Sequence, residues 1–159
     1  MADSRETAGL FVRRVRPADR AVWEPMWADY VSAVDSDPGA VATEATWRRL
    51  NDPDSAIVGW IGGRADGPAE GFVNCVLHPN TFSDRPVCYL EDLYVAPAAR
   101  GSGLAALLID TVIETGCREG WARVYWHTME DNYRARSLYD RYGRHTGYVR
   151  YQVIPGDRA

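Results

Sequence analysis

Glu91 and Asp92 stand side by side in the run Cys88–Val95, an apolar stretch that reads as a strand. A carboxylate at the centre of a strand is expensive to bury without a purpose, and desolvation raises its pKa toward the range of a useful base. Alternation along the strand sends the two side chains to opposite faces. The strand stops at Pro97, and a short loop holding Gly101 and Gly103 leads into a helix that opens without a capping side chain. A helix start carries backbone N–H groups with no partner inside the helix, and the peptide dipoles add partial positive charge there. Two glycines remove the Cβ atoms that would hold a ligand off, so phosphate oxygens can reach those amides. The stretch therefore reads as a pyrophosphate cradle at the end of a strand that bears two carboxylates.

Three glycine patterns compete for it. A G-x-x-x-x-G-K-S/T loop fails because no Lys-Ser or Lys-Thr follows the glycines. The dinucleotide pattern G-x-G-x-x-G/A matches from Gly101 to Ala106, but five residues, Ala96 to Arg100, intervene between strand and turn. Its acidic partner about twenty residues on is also missing from the end of the next strand, where His127-Thr128-Met129 stands. The third pattern, R/Q-x-x-G-x-G/A, fits Arg100-Gly101-Ser102-Gly103-Leu104-Ala105 at every fixed position. With that motif the chain resembles the GCN5-related N-acetyltransferases, which bind acetyl-coenzyme A.

The elements that must position these residues follow from periodicity. Leu10–Val15 alternates as a strand, and Pro17 opens a helix on which Trp23, Trp27, Tyr30 and Val34 share a face. A second helix is expected over Thr43–Leu50 with Thr43 as its N-cap. Strands follow at Ala56–Ile61 and Gly71–Leu77, joined by a glycine-rich hairpin, then a polar loop His78–Pro86 and the strand Val87–Val95. Helix Gly103–Arg118, strand Ala122–Trp126, helix Asn132–Tyr142 and a last strand Tyr148–Ile154 complete the order β-α-α-β-β-β-α-β-α-β. That order predicts an α/β (α+β) domain with a mixed, mostly antiparallel sheet flanked by helices, and it is the element order of the acetyltransferase fold.

Composition is that of a globular domain: 46% hydrophobic and 25% charged residues, with no apolar run of membrane-spanning length. A net charge of −4 argues against nonspecific binding to nucleic acid or anionic membrane. Residues 1–9 lack the layout of a signal peptide, so a cytoplasmic location is the expectation. Cys75, Cys88 and Cys117 show no metal-ligating spacing and read as buried, reduced thiols.

The resemblance implies the rest. It makes residues 1–9 a flexible N-terminal segment, 10–155 a single N-acetyltransferase domain and 156–159 a tail. The amides of Leu93, Tyr94 and Val95 would hold pantetheine, and Arg100, Gly101, Ser102, Gly103, Leu104, Ala105 and Ala106 the pyrophosphate. The L-E-D-x-x-V pattern resembles spermidine/spermine N-acetyltransferases, in which the carboxylate matching Glu91 is the base for the acceptor amine; Asp92 is either a structural carboxylate or an amine contact. Asn132 to Tyr139 carries N-x-x-A-x-x-L-Y, which implies coenzyme contacts at Asn132 and Ala135 and a proton donor to the thiolate at Tyr139. The stretch from Val124 onward is similar to the yeast histone and polyamine acetyltransferase group. Trp27 and Tyr30 are core by periodicity and candidates to line the acceptor pocket, where a ring suits an ammonium. His127 and His78 are of the residue type that commonly serves as a general base, but both read as surface residues. The expected reaction is transfer of acetyl from acetyl-CoA to a primary amine of a polyamine, amino acid or amino-bearing drug, with no metal, in a homodimer. A protein lysine or N-terminus as acceptor, a non-catalytic acetyl-CoA sensor, and a nicotinamide or flavin enzyme stay as alternatives.

Overall fold

The computed structural model describes residues 4–7 and 9–155, which form two compact units divided after His127. The first unit is built on a six-stranded sheet in chain order: β1 (Ser4–Thr7), β2 (Leu10–Arg14), β3 (Ile57–Arg64), β4 (Ala69–Asn80), β5 (Ser83–Val95) and β6 (Arg123–Tyr125). Neighbours are antiparallel except β5 and β6, which run parallel. Antiparallel neighbours need only turns, whereas a parallel pair needs a crossover, and helix α3 (Leu104–Glu119) supplies it. The mixed, mostly antiparallel sheet flanked by helices is thus the one the sequence predicts.

Helices α1 (Arg20–Ala33) and α2 (Gly39–Leu50) cover one face of this sheet. Trp23, Met26 and Trp27 of α1 and Leu50 of α2 pack on Ile61, Phe72 and Tyr94, with Trp23 and Trp27 stacked at 5.4 Å between centroids. The opposite face carries α3. A Cβ at Gly62 or Gly71 would meet Leu104 at 2.9 or 3.2 Å, so these two strand glycines let the start of α3 sit close to the sheet. An ion pair fixes where α1 begins. Arg13 of β2 donates twice to Asp19, at 2.7 and 2.8 Å, and the Arg16 amide donates to the same carboxylate at 2.8 Å.

Several expectations need correcting. Ser4–Thr7 forms β1 against β2, where no element was expected before Leu10. The α2 helix starts at Gly39, and Thr43 lies inside it, its Oγ1 accepting from Trp27 Nε1 at 3.1 Å instead of capping. The polar loop His78–Pro86 is instead the tip of a long hairpin. Asn80 Oδ1 accepts from Phe82 N, Asn80 Nδ2 donates to Arg85 O, and Ser83 Oγ accepts from Arg85 N, so side chains satisfy the backbone where the ladder is irregular. Val34 ends α1 half-exposed, and Cys117 sits on the solvent side of α3, while Cys75 and Cys88 are buried.

The second unit holds α4 (Tyr133–Tyr139), shorter than expected, and no strand among its described residues. The last strand predicted over Tyr148–Ile154 is therefore not formed. Its alternation suits a sheet, but a strand exists only against a partner ladder, and within this unit none is present. Tyr148, Val149 and Tyr151 are exposed instead.

Candidate active site

Strands β5 and β6 pair only from Val87↔Arg123 to Tyr89↔Tyr125; β6 ends there while β5 runs on, a fork in the ladder. Beyond that fork, Leu90–Val95 has no strand on its β6 side among the described residues. A strand edge without a neighbour presents N–H and C=O groups that an extended amide-bearing ligand can pair with. Leu93, Tyr94 and Val95 lie on this open stretch, where the sequence reading places the pantetheine arm.

Just past the fork the ladder to β4 slips. Asn74 pairs with Asp92 but Cys75 with Leu90, which leaves Glu91 as the extra residue of a β-bulge. The bulge breaks strict alternation. Tyr89 pairs with Val76 and Asp92 with Asn74, so side chains three residues apart on β5 share the α1 face. Glu91 is exposed. Asp92 is largely enclosed: Asn74 Nδ2 donates to its Oδ2 at 3.0 Å, and the Tyr30 hydroxyl from α1 donates as well. Burial raises the Asp92 carboxyl above its ordinary value, and the two hydrogen bonds only partly offset this. Tyr30 is held well above the usual phenol range by its own burial and by the acidic groups of Asp92, Tyr89 and Glu91 around it. Trp27 is buried against Trp23 and Phe72 with its indole N–H on Thr43.

At the other end of β5, a 3-10 turn (Pro97–Ala99) leads to the glycine loop. Gly101 and Gly103 have φ of +85° and +93°, a region that side-chain-bearing residues rarely adopt. A Cβ at either would meet nothing within 4 Å, so the space beside these amides is open. Gly103 is the N-cap of α3 and has no side chain to cap the helix, and an anion suits the amides of such a first turn. Ser102 Oγ donates to Ala99 O at 2.7 Å and accepts from Leu104 N at 3.3 Å, shaping the loop from within. Arg100 Nε donates to Val95 O at 3.1 Å, tying the loop to the end of the open strand. Ala105 and Ala106 follow as small first-turn residues of α3.

In the second unit, Asn132 caps α4, its Oδ1 accepting from Ala135 N at 3.3 Å and its Nδ2 donating to Thr128 Oγ1 at 3.2 Å. Tyr139 ends the same helix, and burial holds its phenol above the ordinary value of 10.0. A raised phenol keeps its proton at neutral pH, as a donor requires.

Asn74 and Tyr89 escaped the sequence reading. Asn74 is 2% exposed and its Oδ1 has no hydrogen-bond partner, an uncommon state for a buried amide. A polar residue amid the apolar run Gly71–Leu77 was the signal available for it. For Tyr89 there was none, because its face depends on the bulge.

A family model described as the acetyltransferase (GNAT) family matches residues 19–143. The D-amino-acid N-acetyltransferase HPA3 of Saccharomyces cerevisiae is 31% identical over 145 residues, spanning 90% of this chain and 89% of that protein. The aminoglycoside N(6')-acetyltransferase type 1 of Stenotrophomonas maltophilia is 31% identical over 119 residues, spanning 68% and 71%. Among solved structures, AAC(6')-Iy bound to the bisubstrate analogue CoA-S-monomethyl-acetylneamine superposes with a TM-score of 0.77 at 21% identity, over 91% of this chain and 97% of that one. The family match runs from the residue before α1 to beyond α4, and the chain belongs to the acetyltransferase (GNAT) family.

Proposed function

We propose that the protein moves the acetyl group of acetyl-CoA to a primary amine of a small molecule by direct attack in a ternary complex. The observation that carries this is the fork: the β5–β6 ladder ends at Tyr89, a bulge presents Glu91 just beyond it, and the same strand leads to the glycine loop at the start of α3. The residues present fit the coenzyme. Open edge, glycine backbone and helix start would hold its pantetheine and pyrophosphate, and the thioester it brings is the acetyl donor. The amides of β5 beyond the bulge polarise the acetyl carbonyl and stabilise the negative charge that grows on its oxygen. Glu91 takes the proton from the acceptor ammonium, directly or through water, and Tyr139 returns a proton to the departing thiolate. Tyr30 and Asp92 contact the acceptor amine, and Trp27 backs them. The yeast relative acts, by its name, on D-amino acids and the bacterial one on aminoglycosides, which supports a small amine over a protein lysine.

Thiol release from acetyl-CoA with a panel of amines tests this. Turnover that drops at least about tenfold in both Glu91→Gln and Tyr139→Phe fits the assigned roles. Coenzyme binding without turnover of any amine would overturn small-molecule transfer in favour of a sensor or a protein acceptor.

A further inference from the structure

The α1 face of the sheet continues past Asp92 into four rings outside the machinery just described. Tyr89 and Tyr125, the last residues paired before the fork, stack at 5.2 Å between centroids and 26°. His127 lies against both, at 5.3 and 5.8 Å. His78 meets Tyr125 edge-on, with its Nε2 3.0 Å from the Tyr125 hydroxyl and its Nδ1 2.8 Å from Pro79 O. One consistent arrangement has Nδ1–H donating to the carbonyl and the phenol donating to Nε2, which fixes the orientation of Tyr125. Tyr89, Tyr125 and His78 are half-buried and His127 is exposed, so the cluster is not a sealed core.

Its place relative to the carboxylates is set by register. Asp92 sits opposite Asn74 and Tyr89 opposite Val76, two residues along β4, which is about 7 Å. Tyr30 lies near both ends, its hydroxyl donating to Asp92 and its phenol feeling the acidic groups of Tyr89 and Glu91. An amine at Glu91 and Asp92 therefore has the Tyr89 position about 7 Å along the same face, a distance that an aryl group on a two-carbon tether spans. The charge at the far end selects the kind of group. The Arg123 guanidinium already lies 5.6 Å from the Tyr125 ring centroid, occupying the place a second ammonium would seek. A linear polyamine would bring its next cation toward that guanidinium. A flat uncharged ring carries no charge to oppose that guanidinium, and the exposed His127 imidazole at the edge of the Tyr89–Tyr125 stack offers it an aromatic contact.

From this juxtaposition we infer that Tyr89, Tyr125 and His127, braced by His78, form an acceptor subsite for a flat uncharged ring, so that the preferred acceptors are aryl-bearing primary amines and not polyamines. The inference rests on the acetyl-transfer reading above and narrows its acceptor class.

The test compares 2-phenylethylamine, butylamine and spermidine as acceptors for the whole chain with acetyl-CoA. The expected kcat/KM for phenylethylamine exceeds both others at least tenfold, and its advantage over butylamine shrinks below threefold in Tyr125→Leu. Tyr125→Phe, which keeps the ring, retains most of it. Should Tyr125→Leu fail to fold, His127→Ala at the exposed edge serves as the second variant, with the same ratio expected to fall at least threefold. Phe82→Ala, at the exposed hairpin tip, controls for handling and leaves the ratio unchanged. A spermidine rate equal to or above that of phenylethylamine overturns the subsite, as does a ratio that Tyr125→Leu does not change. If no amine is acetylated, the transfer reading has failed, and calorimetry of phenylethylamine and butylamine on the coenzyme-A-bound protein decides the subsite separately. Tenfold tighter binding of the aryl amine, lost in Tyr125→Leu, upholds it; equal binding overturns it.

Discussion

Gly103→Ala and Gly120→Ala form a matched pair that separates the conformational role of a glycine from its role beside a ligand. Gly103 caps the start of α3 with φ +93°, and Gly120 caps its end with φ +73°. A Cβ at either position meets nothing within 4 Å, so neither substitution clashes. What remains is the cost of a left-handed backbone for an L-residue, about 1–2 kcal/mol at each site. For a chain of this size that lowers Tm by about 2–8 °C in both variants. Coenzyme A separates them. At a concentration about 100-fold above Kd, a ligand adds about 2.7 kcal/mol to folded stability. A methyl at 103 stands beside the amides assigned to the pyrophosphate, and a tenfold weaker coenzyme removes about 1.4 kcal/mol, roughly half of that protection. Gly120 lies at the far end of a 16-residue helix, about 24 Å away, and its variant keeps the whole increment. Thermal unfolding with and without coenzyme A at one fixed concentration reads both effects. If Gly103→Ala keeps the full coenzyme shift, or Gly120→Ala loses as much, the loop is not the phosphate site. If neither variant lowers Tm without coenzyme, the backbone reasoning itself is wrong.

Two further outcomes follow from the carboxylates. Arg13 holds the Asp19 carboxyl below its ordinary value, so the stability it contributes is present above the unfolded carboxylate range and lost as pH falls through the lower folded value. Asp19→Asn therefore costs about 2 kcal/mol at pH 7, and its chemical-denaturation midpoint converges on that of the unaltered protein as pH drops toward about 2; a difference constant with pH would contradict the pairing. Asp92 has the opposite sign: its folded value is raised, so the charged form weakens the fold as pH rises above the unfolded value. Asp92→Asn is expected to raise Tm at neutral pH while lowering kcat/KM, because the new amide can donate to the unpartnered Asn74 Oδ1; a lower Tm would show that the charge is better solvated than the structure implies.

Elements with their own strong local signal were legible. The Trp23–Trp27 face, the α3 stripe from Leu104 to Val112 and the glycine hairpin before Ala69 all form as read, because burial on one face leaves a period that survives tertiary packing. The failures sit where partners decide. Thr43 has the chemistry of a cap, but Trp27 Nε1 claims its hydroxyl and Gly39, with φ +71°, starts the helix instead. The residues from His78 to Pro86 are polar as a loop would be, yet their side chains carry the backbone through an irregular hairpin. The alternation of Tyr148–Ile154 has no ladder to join within its unit.

The site divides along the same line. The backbone of the glycine loop was legible because few residue types adopt a left-handed conformation, and Gly101 and Gly103 both do. Which of two adjacent carboxylates is buried was not legible, because it turns on a bulge that alternation cannot count. With one residue looped out, Asp92 is carried to the α1 face, where Asn74 and Tyr30 enclose it, and Glu91 stands at the irregularity with access to solvent. A base that must return its proton each turnover benefits from that access, and a group that only orients an ammonium benefits from enclosure. The bulge therefore supports a division of labour between two residues that sequence alone makes interchangeable, and it places Tyr89 on the same face as Asp92.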